Sequence, residues 1–466
     1  MKSISSKRER LVPAVFPCAL AARFRCLAGL AARCSSRAAL AFVLAPLAVL
    51  LAPAAHAFYD DASVRSILLN RERAEKLDAP LVLLAHETRC RIMGNGARIT
   101  EEHRIWYVDD AKARECQAIR NPRIRLDLLL ERIEIARCRI YRGTDTLDAA
   151  PESWSSGPVA GWPDATRLSW IETTTELPQL KRGDLVEIAY AIHNRWTSSR
   201  PAAHWEVFAL SDPLAPTIER HVIISSPPVV EGRAIVIGDG SRVVRHYGQS
   251  EPELELLTGN LPRGPEDPLG LGAPRLLFSA EENWELVRRC VAPHFAFGIG
   301  EYERGWGAAG DSIAARARTT RERMAEILAL LERRSTRLPL SPAESKGFPR
   351  LAPAALQDRA GDRLDRALLA AGLAAAAHIP CSVFFGASSA EAFRADFASP
   401  QQFDRVLVGV PLIEEGRYLV LDPWEKDLAS AEKAAAAVPV LFGISDDVAR
   451  FQEVGPDGLL HARTMP

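Results

Sequence analysis

The sequence predicts an all-β sandwich followed by an α+β domain, both behind an N-terminal leader. Three observations carry this. From Pro80 to about Ile224, apolar residues recur with period two and turn signals divide them into short runs. Beyond residue 276, helix-like spacing comes first and a strand pair follows. The first 57 residues differ in composition from everything after them. A chain of 466 residues fits two domains once the leader is set aside.

The leader, residues 1–57, holds eight basic residues and one acid, Glu9, and then an apolar run from Ala38 to Ala52. Ala55-His56-Ala57 supplies an A-x-A site. Basic region, apolar stretch and small-residue site form the pattern of a secretory signal peptide, with an unusually long basic region. The apolar run contains Pro46 and is short for a spanning helix. Cleavage after Ala57 is expected, and an uncleaved N-terminal anchor is the rival. The protein is then periplasmic or otherwise extracytoplasmic, touching a membrane only through an uncleaved leader. Without the leader the net charge shifts from −1 to −8. An acidic body with no basic run argues against nucleic-acid binding.

Five cysteines remain: Cys90, Cys116, Cys138, Cys290 and Cys381. No pair has C-x-x-C spacing, so a zinc or thioredoxin-like reading is unsupported. One or two disulfides and five isolated thiols both stay open, and the pairing is not readable.

The β-rich part is expected over residues 58–258. Asn95-Gly96, between Leu81–Ile92 and Ile99–Val108, predicts a hairpin. Arg142-Gly143 closes a second pair around Ile133 to Tyr141, and Trp170–Glu176, Leu185–Tyr190, Trp205–Phe208 and His221–Ile224 read as further strands. Arg182-Gly183-Asp184 reads as a tight turn rather than an adhesion tripeptide. A Pro/Gly-rich stretch, 259–275, is the expected linker. In the second part, 276–466, Ser279 to Trp284 reads as a capped helix start. Thr319-Thr320 precedes a helix whose Met324, Ile327, Leu328 and Leu331 share one face.

Gly361-Asp362-Arg363-Leu364-Asp365 opens an alanine-rich helix that ends before Ile379-Pro380, and Cys381–Phe385 follows as a strand. Phe403-Asp404-Arg405 begins another strand, and Tyr418–Leu421 leads into Asp422-Pro423. This order resembles the transglutaminase-like (papain-related) domain of bacterial cell-envelope proteins. There the helix begins Gly-Asp-Cys, the first strand carries Phe-Asp-His and the second Asp-Pro. Leu177-Pro178 to Glu187, and the run from Phe208 through Asp212-Pro213 to Ser226-Pro227, resemble the β-rich module of unknown function that often precedes such domains. Together the resemblances span most of the chain beyond the leader.

The resemblance places Arg363 at the cysteine position, Arg405 at the histidine position and Asp422 at the aspartate position. Papain-like chemistry needs a thiolate at a helix N-terminus, a histidine that moves the proton and an acid that orients it. A guanidinium is neither a nucleophile nor a proton shuttle at neutral pH. The resemblance thus implies a pseudoenzyme with no catalytic residue, no cofactor and no metal. If Val410 pairs with Arg417, Arg405 faces Asp422 directly and forms an ion pair. Asp362 and Asp365 suit the positive helix end and are candidates to hold Arg363.

Cleft-binding candidates are Arg363, Arg405, Asp422 and Trp424, the last capping the cleft. Either the two arginines bind an anion or acidic peptide, or they are salt-bridged plugs; the sequence favours plugs. Cys381 reads as a core residue, Ser382 has no neighbouring base and no histidine shows H-E-x-x-H spacing. The expected function is non-enzymatic binding of a peptide or cell-envelope partner. A cysteine-peptidase or transglutaminase-type enzyme with a relocated nucleophile, and a purely structural envelope protein, are the alternatives.

Overall fold

The computed structural model describes residue 67 and residues 70–462, apart from 150–152, 161, 163–169, 195–203, 239, 247–250, 268, 270–271, 346–347, 351–358, 416, 445–450 and 455–459. The expected leader therefore lies outside the described residues. Residues 58–466 form one compact unit.

The β-rich part is built on an eight-stranded sheet. Its spatial order is Val244–His246, Glu253–Leu261, Thr217–Ser225, Leu81–Ile92, Arg98–Val108, Leu185–Asn194, Glu131–Arg142 and Asp145–Asp148. All neighbours are antiparallel except Leu81–Ile92 beside Thr217–Ser225. The hairpin predicted at Asn95-Gly96 forms. Its loop runs over residues 93–97, Gly96 has φ 82°, and the Asn95 side chain accepts from Ala97 N at 3.0 Å.

Alternation puts Leu81, Leu83, Trp106, Val108, Val186 and Ile188 against Ile124, Leu126 and Leu177. The same sheet face further along offers Cys90, Ile92, Val222, Ile224 and Leu256 to Phe208, Leu276 and Phe278. One long sheet therefore carries two short ones: Arg123–Asp127 with Trp170–Thr174 and Ser155–Pro158, and Arg233–Ile237 with Arg275–Ser279 and Trp205–Ala209. The Arg-Gly-Asp tripeptide is a turn, with Gly183 at φ 88° and Asp184 buried on Arg142.

The stretch 259–275 does not separate the two parts. Its start finishes Glu253–Leu261, and Arg275 opens a strand that pairs with both Trp205–Ala209 and Arg233–Ile237. The chain changes character only after Ser279. Ser279 is not a cap: its hydroxyl donates to Ala398 O at 2.6 Å, and Asn283 accepts from Leu286 N at 3.1 Å to start the helix Trp284–Arg316.

The α+β part places the site helix, Arg363–Ala376, between Trp284–Arg316, Thr320–Arg334 and a six-stranded sheet. The sheet order is Arg417–Leu421, Arg405–Leu412, Ser382–Ala387, Val440–Gly443, Phe451–Val454 and Leu460–Ala462. Thr319 and Glu322 form a capping box, and Met324, Ile327, Leu328 and Leu331 are all buried. The site helix crosses the long helix at small residues. A Cβ on Gly372 would stand 2.3 Å from Tyr302 Cβ. Among the described residues no helix is long and apolar enough to cross a membrane.

Candidate functional site

The site helix starts at a pair of aspartates. Asp362 accepts from Asp365 N at 2.8 Å, and Asp365 accepts from Asp362 N at 3.4 Å. Both carboxylates are buried, at 3% and 0% exposure. Their cation is Arg350, whose Nε donates to Asp365 Oδ2 at 2.7 Å; among the described residues the acid that Arg363 meets is Asp422, not either of these. Ser345 donates its hydroxyl to Asp362. Burial first, and the charge of Asp365 second, push the Asp362 carboxyl up to about 7.

Arg363, the first helical residue, turns away from these acids. Its Nη1 donates to Asp422 Oδ2 at 3.3 Å, and its guanidinium carbon lies 4.8 Å from the Trp424 ring centroid. Burial, with help from the charge of Arg405, lowers its pKa. Arg405 opens the strand Arg405–Leu412 and brings Nη1 to the same Asp422 oxygen at 3.5 Å. Its Nε lies 3.5 Å from Asp404 Oδ2.

The register differs from the expected one. Val410 pairs with Leu419, not Arg417, so Arg405 does not face Asp422 directly. The shift is two residues, which keeps side chains on the same face, so the contact survives on the diagonal.

Asp422 is 1% exposed and follows the strand Arg417–Leu421. Its other oxygen, Oδ1, accepts from Trp424 N at 2.9 Å, which turns the chain so that the indole covers the arginines. Trp424 carries Arg363 at 4.8 Å, Arg337 at 5.8 Å and Arg366 at 6.0 Å from its ring centroid.

Sequence reasoning missed Arg337 and Arg366. Arg366 is wholly buried; its Nε donates to Pro423 O at 3.1 Å and its Nη1 to Ser335 O at 2.9 Å. Burial, reinforced by Arg337, lowers its pKa to about 10. The signal was present, since residue 366 is three on from 363 and shares its side of the helix. Arg337 donates to Trp424 O at 2.7 Å and grips Glu332; nothing local in sequence announces it.

The other candidate nucleophiles sit elsewhere. Cys381 donates to Ala371 O at 3.5 Å, about two turns along the site helix from Arg363, and burial pushes its thiol up to about 11. Ser382 pairs with Gly409 inside the sheet. His378 is exposed at the helix end, 3.6 Å from Asp311. All five described cysteines are free thiols. Among the described residues no group of three or more His, Cys, Asp or Glu could hold a metal ion. A pocket beside the helix start is lined by Asp127, Glu131, Trp170, Ser345, Phe348 and Asp362, and Arg363 is not among its lining residues.

No family model matches the sequence, and no curated protein matches it. A solved structure from Parabacteroides distasonis, described as a "putative protease", aligns with a TM-score of 0.66 at 14% identity, covering 81% of this chain and 72% of that one. A second, described as a "putative cysteine protease" from Cytophaga hutchinsonii, aligns with a TM-score of 0.23 at 11% identity, covering 56% of this chain and 85% of that one. At such identities a likeness is one of fold, and the first alignment spans both the β-rich and the α+β parts: the chain has the fold of a protein described as a protease.

Proposed function

We propose that this chain is a non-catalytic, transglutaminase-like protein of the cell envelope that binds a peptide or envelope partner. One observation carries the reading. Two guanidiniums, from the first residue of the site helix and the first residue of the neighbouring strand, meet on one oxygen of a buried aspartate. A papain-related site would put thiol, imidazole and carboxylate at those three places. Guanidinium offers charge and hydrogen-bond donors but no nucleophile, so what remains is recognition.

An enzyme with a relocated nucleophile has little support. Among the described residues, the hydrogen-bond and ion-pair partners of Asp422 side-chain atoms are Arg363, Arg405 and Trp424, and neither a thiol nor an imidazole joins them. The extracytoplasmic location rests on the leader-like composition of residues 1–57.

The test is direct. Purified protein is incubated with amide and ester peptide substrates and followed by intact-mass spectrometry. No turnover and no acyl adduct is the expected result. Turnover abolished by a thiol-alkylating reagent overturns the reading. The mass of the N-terminus after secretion tests the location: a start at Phe58 supports it, and an intact leader on a cytoplasmic protein overturns it.

A further inference from the structure

Resting on that binding reading, we propose that Arg363 and Arg405 together bind one carboxylate of the ligand, a free C-terminus or an acidic side chain of a peptide, with Trp424 as the wall of the site.

The two guanidiniums are under-used by this protein's own standard. Arg142 grips Asp184 through two bonds of 2.8 and 2.7 Å. Arg363 and Arg405 instead share a single oxygen at 3.3 and 3.5 Å. Charge-assisted bonds of this kind normally measure about 2.7–2.9 Å. Asp422 divides its oxygens: both guanidiniums meet Oδ2, while Oδ1 accepts from Trp424 N. A guanidinium has five N–H donors. Among the described residues Asp422 is the one oxygen acceptor of Arg363, so most of its donors remain to be used.

The nearest other acid does not close the gap. Asp404 accepts from Ser388 N at 2.9 Å and from the Ser388 hydroxyl at 2.6 Å, and reaches Arg405 only at 3.5 Å. Charge selects the ligand class. Arg363 and Arg405 face Asp422 and a half-engaged Asp404, Arg337 and Arg366 stand against Glu332, and Glu425 adds a further negative charge near Arg363, so at most about one positive charge is left to neutralise. A planar monoanion matches that charge and the forked donor geometry better than a dianionic phosphate.

The site is also partly exposed and held in place. Asp422 lies behind, at 1% exposure, while the Arg363 and Arg405 side chains are 19% and 30% exposed. A carboxylate arriving from solvent meets the two cations before it meets the acid. Trp424 stacks on Arg363, while Arg337 lies over the same ring and donates to the Trp424 backbone oxygen, so Arg363 and Trp424 lose less rotamer freedom on binding.

The experiment uses the full mature chain and calorimetric titration. The probes are N-acetyl-trialanine as free acid, its C-terminal amide, N-acetyl-Ala-Glu-Ala amide, and inorganic phosphate. The free acid or the glutamyl peptide should bind at least about tenfold more tightly than the neutral amide, a ratio that one charged hydrogen-bonded contact supplies. Which of the two wins tells a chain terminus from a side chain. Arg405→Gln and Arg363→Gln should each erase the preference. If Arg363→Gln does not fold, Arg405→Gln, at the more exposed position, decides alone. Equal binding of acid and amide, unchanged in Arg405→Gln, overturns the inference but leaves peptide binding standing. Phosphate binding as tightly as the acids overturns the carboxylate assignment. No binding of any probe overturns both readings.

Discussion

Arg405 reaches Asp422 on the diagonal of a hairpin, with 3.5 Å between Nη1 and Oδ2. The pairs in register are Val410 with Leu419 and Val408 with Leu421, so the strand has ended before Asp422 has a partner straight across. The aspartate stands at the strand's exit, free to turn its second oxygen to its own chain and its first to the arginines.

Asp422→Asn should destabilise the fold by about 2 kcal/mol, because it removes the charge that two guanidiniums share. Part of the loss is softened by water reaching the two arginines. The measurement is urea unfolding: a lower midpoint with an unchanged slope is expected. An unchanged midpoint contradicts the role given to this carboxylate.

Asp362 gives a pH dependence whose sign is fixed. Its folded-state pKa is raised from 3.8 to about 7, chiefly by burial. The folded protein therefore keeps a proton that the unfolded chain has released, and stability falls as pH rises from about 4 to about 7. Asp362→Asn removes this dependence while keeping a side chain that caps helices well. Relative to wild type, the variant should gain stability between pH 5 and pH 7, by at most about 1.4 kcal/mol per pH unit. Parallel curves for the two proteins would contradict this.

How far these sites were legible in the sequence follows from locality. The helix start at Gly361-Asp362 and the amphipathic face through Met324 and Leu331 are set within a few residues and were legible, whereas the reciprocal capping of Asp362 and Asp365 was legible only as two acids at the positive end of the helix. The hairpin face of Arg405 was readable because strand parity survives a two-residue slip, whereas the register itself depends on a loop that composition does not specify. The partner of Asp365 was not readable: Arg350 lies fifteen residues back in sequence, beyond the reach of any helical or strand spacing rule. Nor was the strand Arg275–Ser279, whose place depends on Trp205–Ala209, seventy residues away. Strands such as Arg233–Ile237 were missed because they are short and half exposed, so alternation has little contrast.

Gly372→Ala should be strongly destabilising. The new methyl would stand 2.3 Å from Tyr302 Cβ, both on helix backbones that cannot part without opening the core. Overpacking of this kind costs about 1–3 kcal/mol, against a gain of about 1 kcal/mol in helix propensity. Thermal unfolding checks it: a lowered midpoint is expected, and an unchanged or raised one shows that the two helices can separate.

Cys381 should resist alkylation. Its thiol is pushed up to about 11 and points at a helix carbonyl, so the reactive thiolate is scarce at neutral pH. Iodoacetamide at pH 7 followed by peptide mass mapping should leave Cys381 unlabelled in folded protein and labelled in urea. Rapid labelling under native conditions would restore it as a candidate nucleophile.

The small sheet that carries Trp205 belongs by hydrogen bonding to the β-rich part, yet Trp205 stacks on Phe348 at 5.6 Å and packs into the core of the site helix. Ser279, on the same sheet, is tied to Ala398. Cooperativity follows from this shared wall: the halves should melt in a single transition. A fragment beginning at residue 276 would lack the indole that its own interior requires, so expressing either half alone should give an aggregation-prone product.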